Sequence, residues 1–344
     1  MTVRQSGVVD ADGHVVETAT ALMAFGWSGA TGNIGLDHLL AHPDVGYRPD
    51  LAGGAQDPQL RLVDMDRERI EVAVNYPTFL LMVNQLDPQP AAEACRAYNT
   101  WFANTYRAAD PERLRAMALV SLADPGVAAA EGRRAVVELG APGIVVSPYC
   151  GSVHLGDPTL DPLWALAQEL DVPIAVHGGR GTTAPHLSPN SFPSGDHRTY
   201  YALAHPFGQM MAVGSLVFGG VLERFPALRV VFLEAGVGWI PWFVDRLDEA
   251  HESLEPPPGM APLSRDPSEL LLGGNCYFSC EPDERHLALM VDAIGEDQVV
   301  FASDYPHFDC KFPESVATLE AASALSDRLL AKVTVTNPAR LYRL

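Results

Sequence analysis

Four short apolar runs in this 344-residue chain each finish on a residue able to bind a metal ion. They are Val8-Val9-Asp10-Ala11-Asp12-Gly13-His14, Pro173-Ile174-Ala175-Val176-His177, Val230-Val231-Phe232-Leu233-Glu234 and Val299-Val300-Phe301-Ala302-Ser303-Asp304. Continuous apolar runs of this length read as buried strands. In a closed parallel barrel the C-terminal strand ends meet at one mouth, so groups far apart in sequence become neighbours. The expected fold is therefore α/β, a (β/α)8 TIM barrel with a metal site at its mouth.

The rhythm of the chain supports eight strands. After strand one, residues 18–60 are rich in Gly, Pro and Asp and read as an insertion over the mouth. Helices are expected over 61–70, 91–109, 127–139, 161–170, 206–225, 240–254 and 286–294, alternating with strands over 71–76, 115–122, 143–147 and 276–280. Residues 178–205 are too long for an ordinary connection and read as a lid, with Gly178-Gly179-Arg180-Gly181 giving it backbone freedom and His186 and His197 as solvated residues. His205-Pro206 reads as the entrance to the next helix. A doubly wound sheet would carry a glycine-rich phosphate loop after strand one, where this chain has Asp12-Gly13-His14. Length and rhythm fit one domain over residues 1–344.

Composition excludes several classes of partner. A net charge of -20 repels polyanions, so nucleic acid is not expected. No apolar run reaches membrane-spanning length. The five cysteines form no CxxC pair, which argues against structural zinc, and their odd number suits a reducing compartment, here the cytoplasm. Nothing in the composition opposes a homo-oligomer.

Each candidate ligand has a plainer reading. Asp12 and His14 could be a buried hydrogen-bonded pair and His177 a satisfied core histidine. Yet Glu234 and Asp304 at the ends of very apolar strands would be costly buried charges without a cation. Glu17 and His307 could orient ligands through hydrogen bonds. His205 is available as a neutral donor near pH 7. Tyr200, Tyr201, Phe207, Trp239 and Trp242 read as core, or in part as walls of an apolar pocket.

Asp12-Gly13-His14, His177-Gly178-Gly179, the Glu234-to-Pro241 turn, Ser303-Asp304-Tyr305-Pro306, Met65-Asp66 and the terminal Asn337-to-Tyr342 segment together resemble the amidohydrolase-2 branch of the amidohydrolase superfamily. The resemblance implies a metal-dependent barrel enzyme, a hydrolase or non-oxidative decarboxylase, with Asp12, His14, His177 and Asp304 at the ligand positions. Decarboxylases of this branch usually carry a histidine after strand six, where this chain has Glu234.

That difference, and the carboxylates of Asp12, Glu234 and Asp304 with Glu17 nearby, favour two ions over one. The Glu234 turn and Asp304-Tyr305-Pro306-His307 resemble the TIM-barrel non-haem diiron monooxygenases of bacterial platensimycin- and platencin-type diterpenoid biosynthesis. This narrower resemblance implies two Fe ions held by Asp12, His14, His177, His205, Glu234 and Asp304, with Glu234, Asp304 and His307 catalytic. It further implies an apolar substrate, carried as a coenzyme A thioester in secondary metabolism, together with dioxygen and an electron donor. The alternative is a mononuclear Zn or Mn hydrolase or decarboxylase in which Asp304 moves protons.

Overall fold

Parallel strands buried on both faces form the centre of the molecule. We describe a computed structural model, covering residues 7–29, 48–178, 197–322 and 324–344. Eight barrel strands follow one another: β1 (Val8–Val15), β2 (Ile70–Pro77), β3 (Leu114–Ala116 continuing as Ala118–Leu119), β4 (Ile144–Val146), β5 (Ile174–Val176), β6 (Val230–Phe232), β7 (Cys276–Cys280) and β8 (Val299–Phe301). All neighbouring pairs are parallel. The two halves of β3 join the arcs, the first pairing with β2 and the second with β4. The seam between β8 and β1 is closed by a bridge from Gly13 to Tyr305 and by His14 N–H donating to the Tyr305 carbonyl at 2.6 Å.

The apolar runs explain this choice of structure. Val230, Val231 and Phe232 are all buried, as are Ile174, Ala175 and Val176. Such strands have no polar face to offer water, so helices must cover them. Each buried Val, Ile or Leu contributes about 1.5–3 kcal/mol through the hydrophobic effect.

One covering helix shows how the sequence marks its own ends. Pro125–Leu139 begins with Asp124 accepting the amides of Gly126 and Val127, has proline in its first turn, and stops at Gly140 with φ 71°. These are the residues that cap a helix N-terminus and admit a left-handed C-terminus. The C-terminal helix Asn337–Tyr342 closes the barrel floor, where the Tyr342 hydroxyl meets the Tyr76 hydroxyl at 2.7 Å and donates to the Ala11 carbonyl at 3.1 Å.

The boundary between the expected lid and the helix after it differs from the sequence reading. Helix His197–Phe218 starts within the expected lid and carries Pro206 inside it, so residues 197–205 are helical. Proline only removes the donor for the Ala202 carbonyl, and packing onto the barrel outweighs that local cost. The rest of the lid, 179–196 with His186, lies outside the described residues, as do 30–47 of the insertion. The insertion's described parts include helices Ala19–Met23 and Ala52–Gln56. The described cysteines are buried and unpaired, and no helix among the described residues is long and apolar enough to cross a membrane.

Candidate metal centre

Strand β1 delivers two site residues because its register slips against β2. Asp10 pairs with Ala73 but Gly13 pairs with Asn75, so one extra residue is accommodated in β1. Such a bulge re-aims side chains at a barrel rim. Asp12 and His14 are buried at the mouth.

His14 is the hub. Its Nε2 lies 3.2 Å from His177 Nε2, 3.5 Å from Asp12 Oδ1, 3.5 Å from Asp304 Oδ1 and 3.6 Å from Glu234 Oε1. His177 Nε2 also lies 3.3 Å from Asp12 Oδ1. The His14 Nδ1–H donates to the Pro77 carbonyl at 2.9 Å and the His177 Nδ1–H to the Gly178 carbonyl at 2.6 Å, so both Nε2 lone pairs face each other. That arrangement fixes the tautomer a metal ligand needs.

The donor set fits one divalent cation. Donors held 2.0–2.2 Å from one ion in a tetrahedral array stand about 3.3–3.6 Å apart, close to the spacings around His14. Asp12 Oδ2 and Asp304 Oδ1 are buried without a hydrogen-bond partner. Buried acceptors left bare are costly unless a cation meets them. The charge balance agrees. Burial and the carboxylates of Glu234, Asp309 and Asp12 push the Asp304 carboxyl well above its usual range, and burial likewise raises that of Asp12. Burial, with His307 and His177 beside it, pushes the His14 ring well below its ordinary value.

Glu234 ends β6 with φ 59° and Asp304 follows β8 with φ 53°, both left-handed. Non-glycine residues held this way cost of order 1–3 kcal/mol and cluster at functional sites. Burial opposes the charge on Glu234, but His177, His205 and His14 outweigh it and hold the carboxyl far below its ordinary range.

His205 reaches the site from its helix, with Nδ1 2.9 Å from Glu234 Oε2. Gly178 makes room for it, since a Cβ there would stand 3.2 Å from His205 Nδ1. His307 sits edge-on to His14 with ring centroids 4.4 Å apart, and its Nε2 is 3.9 Å from Asp304 Oδ1. Glu17 points elsewhere. Its carboxylate accepts the amides of Thr78, at 3.1 Å, and Leu80, pinning the segment that follows the Pro77 carbonyl.

Sequence reasoning missed Gln209, which is buried and donates to the carbonyls of Val176 at 3.0 Å and Leu233 at 2.8 Å. It thereby ties together the strand ends that carry His177 and Glu234. Tyr201, His205 and Gln209 follow one another at four-residue spacing, one face of the helix, and that period was the available signal. Asp10, Arg61 and Ser303, buried beneath the site, were also missed.

An amidohydrolase family model matches residues 9–344. The chain belongs to the amidohydrolase family. Among curated relatives of this amidohydrolase, the gamma-resorcylate decarboxylase of Rhodococcus jostii is 28% identical over 316 residues, covering 83% of this chain and 90% of its own. Two solved structures share the TIM-barrel-like fold. The 5-carboxyvanillate decarboxylase of Sphingomonas paucimobilis superposes with a TM-score of 0.79 at 22% identity, covering 98% of this chain and 99% of its own. A dihydroxybenzoic acid decarboxylase of a Polaromonas species, with bound manganese and an inhibitor, gives 0.73 at 21% identity, covering 98% and 97%.

These findings correct the diiron monooxygenase reading. These three relatives are decarboxylases of small aromatic carboxylic acids, not oxidoreductases. Dioxygen, an electron donor, a coenzyme A thioester and a role in secondary metabolism lose their support with it. The two-iron site falls for a geometric reason as well. The donors form two groups, Asp12/His14/His177 and His14/Glu234/Asp304/His307, which share His14. One Nε2 lone pair serves one ion. The carboxylate count that favoured two ions also shrinks, because Glu17 is spent on backbone amides and Glu234 is offset by His177 and His205.

Proposed function

We propose that this amidohydrolase is a mononuclear metal-dependent decarboxylase of a small aromatic carboxylic acid. The observation that carries the reading is the convergence of buried metal-capable donors from β1 and the ends of β5 and β8 on one point, in a chain similar to decarboxylases. Asp12, His14, His177 and Asp304 would hold one Mn or Zn ion, which when bound supplies a positive charge to orient and polarise the substrate carboxyl group.

The protein's own part is proton management. Decarboxylation breaks the bond from ring carbon to carboxyl carbon, releases carbon dioxide and requires one proton at the vacated carbon. Asp304 and the neighbouring His307, 3.9 Å apart, would hold and pass that proton. The histidine expected after strand six is replaced by a pair. Burial disfavours charge on His205, but Glu234 outweighs it and raises the ring's affinity for a proton. Glu234, just after β6, thus presents an imidazole brought by another element.

The test is anaerobic incubation of the manganese- or zinc-loaded protein with 2,6-dihydroxybenzoate and 5-carboxyvanillate in D2O. We expect one carbon dioxide per acid consumed and one deuterium at the vacated carbon. Inertness towards both acids and their ring-substituted analogues, or turnover that needs dioxygen, would overturn the reading.

A further inference from the structure

Beneath the metal centre lies a buried cluster to which the family resemblance assigns no role. Asp10 is fully buried, and its carboxylate accepts the Ser303 hydroxyl at 2.6 Å, the Ser303 amide at 2.9 Å and the Asp12 amide at 3.2 Å. One carboxylate therefore ties β1, next to Asp12, to the end of β8, next to Asp304. Directly below, the Arg61 guanidinium is almost wholly buried. Its Nη2 lies 3.5 Å from Asp10 Oδ2, and its carbon lies 3.8 Å from the centre of the Tyr305 ring.

Arg61 makes no hydrogen bond through its buried nitrogens, so it acts on its neighbours by charge and by stacking. Glycine at position 13 is what admits it, since a Cβ there would stand 2.3 Å from Arg61 Nη2. Three residues further along helix Pro58–Glu68, on the same face, Asp64 accepts the Tyr305 hydroxyl at 2.7 Å. The Tyr305 amide in turn donates to Ser303 Oγ at 3.1 Å. Between the two anchored residues sits Asp304 with its left-handed φ of 53°, its amide bound to the Asp12 carbonyl at 3.0 Å. Leu51, Tyr305, Cys310 and Phe312 form a separate small core that packs the same loop against the 48–68 segment.

We propose that Arg61 and Asp10 are positioning residues that clamp the 303–305 turn from below, holding the Asp304 backbone left-handed and its carboxylate aimed into the metal centre. The proposal rests on the reading of Asp304 as a metal ligand.

The test is Mn2+ titration by calorimetry, with thermal midpoints, on the full chain and on Arg61→Met, Arg61→Lys, Ser303→Ala, Asp304→Ala and the double variants with Asp304→Ala. Ser303→Ala removes the 2.6 Å bond while leaving the Arg61–Asp10 pair, so it serves where Arg61→Met fails to fold. We expect Arg61→Met and Ser303→Ala to weaken Mn2+ binding about 10- to 100-fold, with partial rescue in Arg61→Lys. Neither should weaken it further once Asp304 is alanine, because both act through that residue. Lower thermal midpoints with unchanged Mn2+ affinity, or losses that add to that of Asp304→Ala, would overturn the clamp alone. Unchanged Mn2+ affinity in Asp304→Ala itself would instead overturn the ligand reading, and the clamp with it.

Discussion

His14 Nε2 and His177 Nε2 stand 3.2 Å apart, although each ring already gives its other nitrogen's proton to a backbone carbonyl. Two bare lone pairs at that distance repel unless a proton or a metal ion lies between them. We therefore expect one ion per chain after dialysis against manganese or zinc, measured by mass spectrometry. His14→Ala and His177→Ala should each lose more than about 100-fold in affinity, since even residues that only support ligands cost 10- to 100-fold. Two ions per chain, or full occupancy in either variant, would contradict this arrangement.

Glu234 and His205 form the second pair to probe. Glu234→Gln keeps the shape and removes the charge that holds a proton on His205. Metal content should stay near one, while kcat falls about 10²- to 10⁴-fold, the usual worth of general acid or base catalysis. The limb of the pH–rate profile that reports His205 should move to lower pH. His205→Ala should be no worse alone than combined with Glu234→Gln. A variant that loses its metal instead would make Glu234 a ligand rather than a partner of His205.

Stability should depend on pH in a direction set by the buried groups. Burial pushes the carboxyls of Asp10, Glu17 and Glu284 up to about 7. Burial works against charge on His177, but Glu234 and Asp12 overcome it and hold that ring at about 9. Groups raised on folding bind protons more tightly when folded, so they add stability at low pH and lose it as pH rises through the folded value. For the carboxyls that loss runs from about pH 4 to 7, and for His177 from about 6.5 to 9. Glu234, depressed on folding, acts oppositely and loses its contribution as pH falls below about 4.5. The metal-free protein should be most stable near pH 4, with a thermal midpoint that falls steadily as pH rises towards 9. Mn2+ should stabilise more at pH 8 than at pH 5, because it displaces protons from His177 and Asp12. Calorimetric scans with and without metal check this, and a metal-free midpoint that rises with pH would refute it.

Tyr201 and Phe308 are exposed and meet with ring centroids 5.3 Å apart, and Tyr201 lies 5.7 Å from the His205 ring. An aromatic acid entering the mouth would pack against them. Phe308→Ala should raise KM about 3- to 10-fold, the worth of one aromatic contact, and leave kcat nearly unchanged. An effect confined to kcat would place Phe308 in the chemistry instead.

Strand identity and strand order were legible because both depend on local pattern. Runs such as Val230-Val231-Phe232 cannot be solvated on either face, so they declare a buried parallel sheet wherever they end up. The residues ending those runs were legible as site candidates for the same reason. A carboxylate or imidazole after an apolar strand must meet a partner, and Asp12, His14, His177, Glu234 and Asp304 do converge.

Sequence also showed metal-capable residues ending four apolar runs, with glutamate rather than histidine after strand six. Only the tertiary structure decided how many ions the donors address, because that depends on two donor groups sharing the single Nε2 of His14. Only it decided that Glu17 serves backbone amides, and that His205 lies within reach of Glu234 from a helix whose internal proline had suggested a helix start. The clamp of Arg61, Asp10 and Ser303 joins positions 10, 61 and 303 through the barrel's closing seam. No local pattern encodes such a contact, since the energy that holds it arises only when three distant segments are desolvated together.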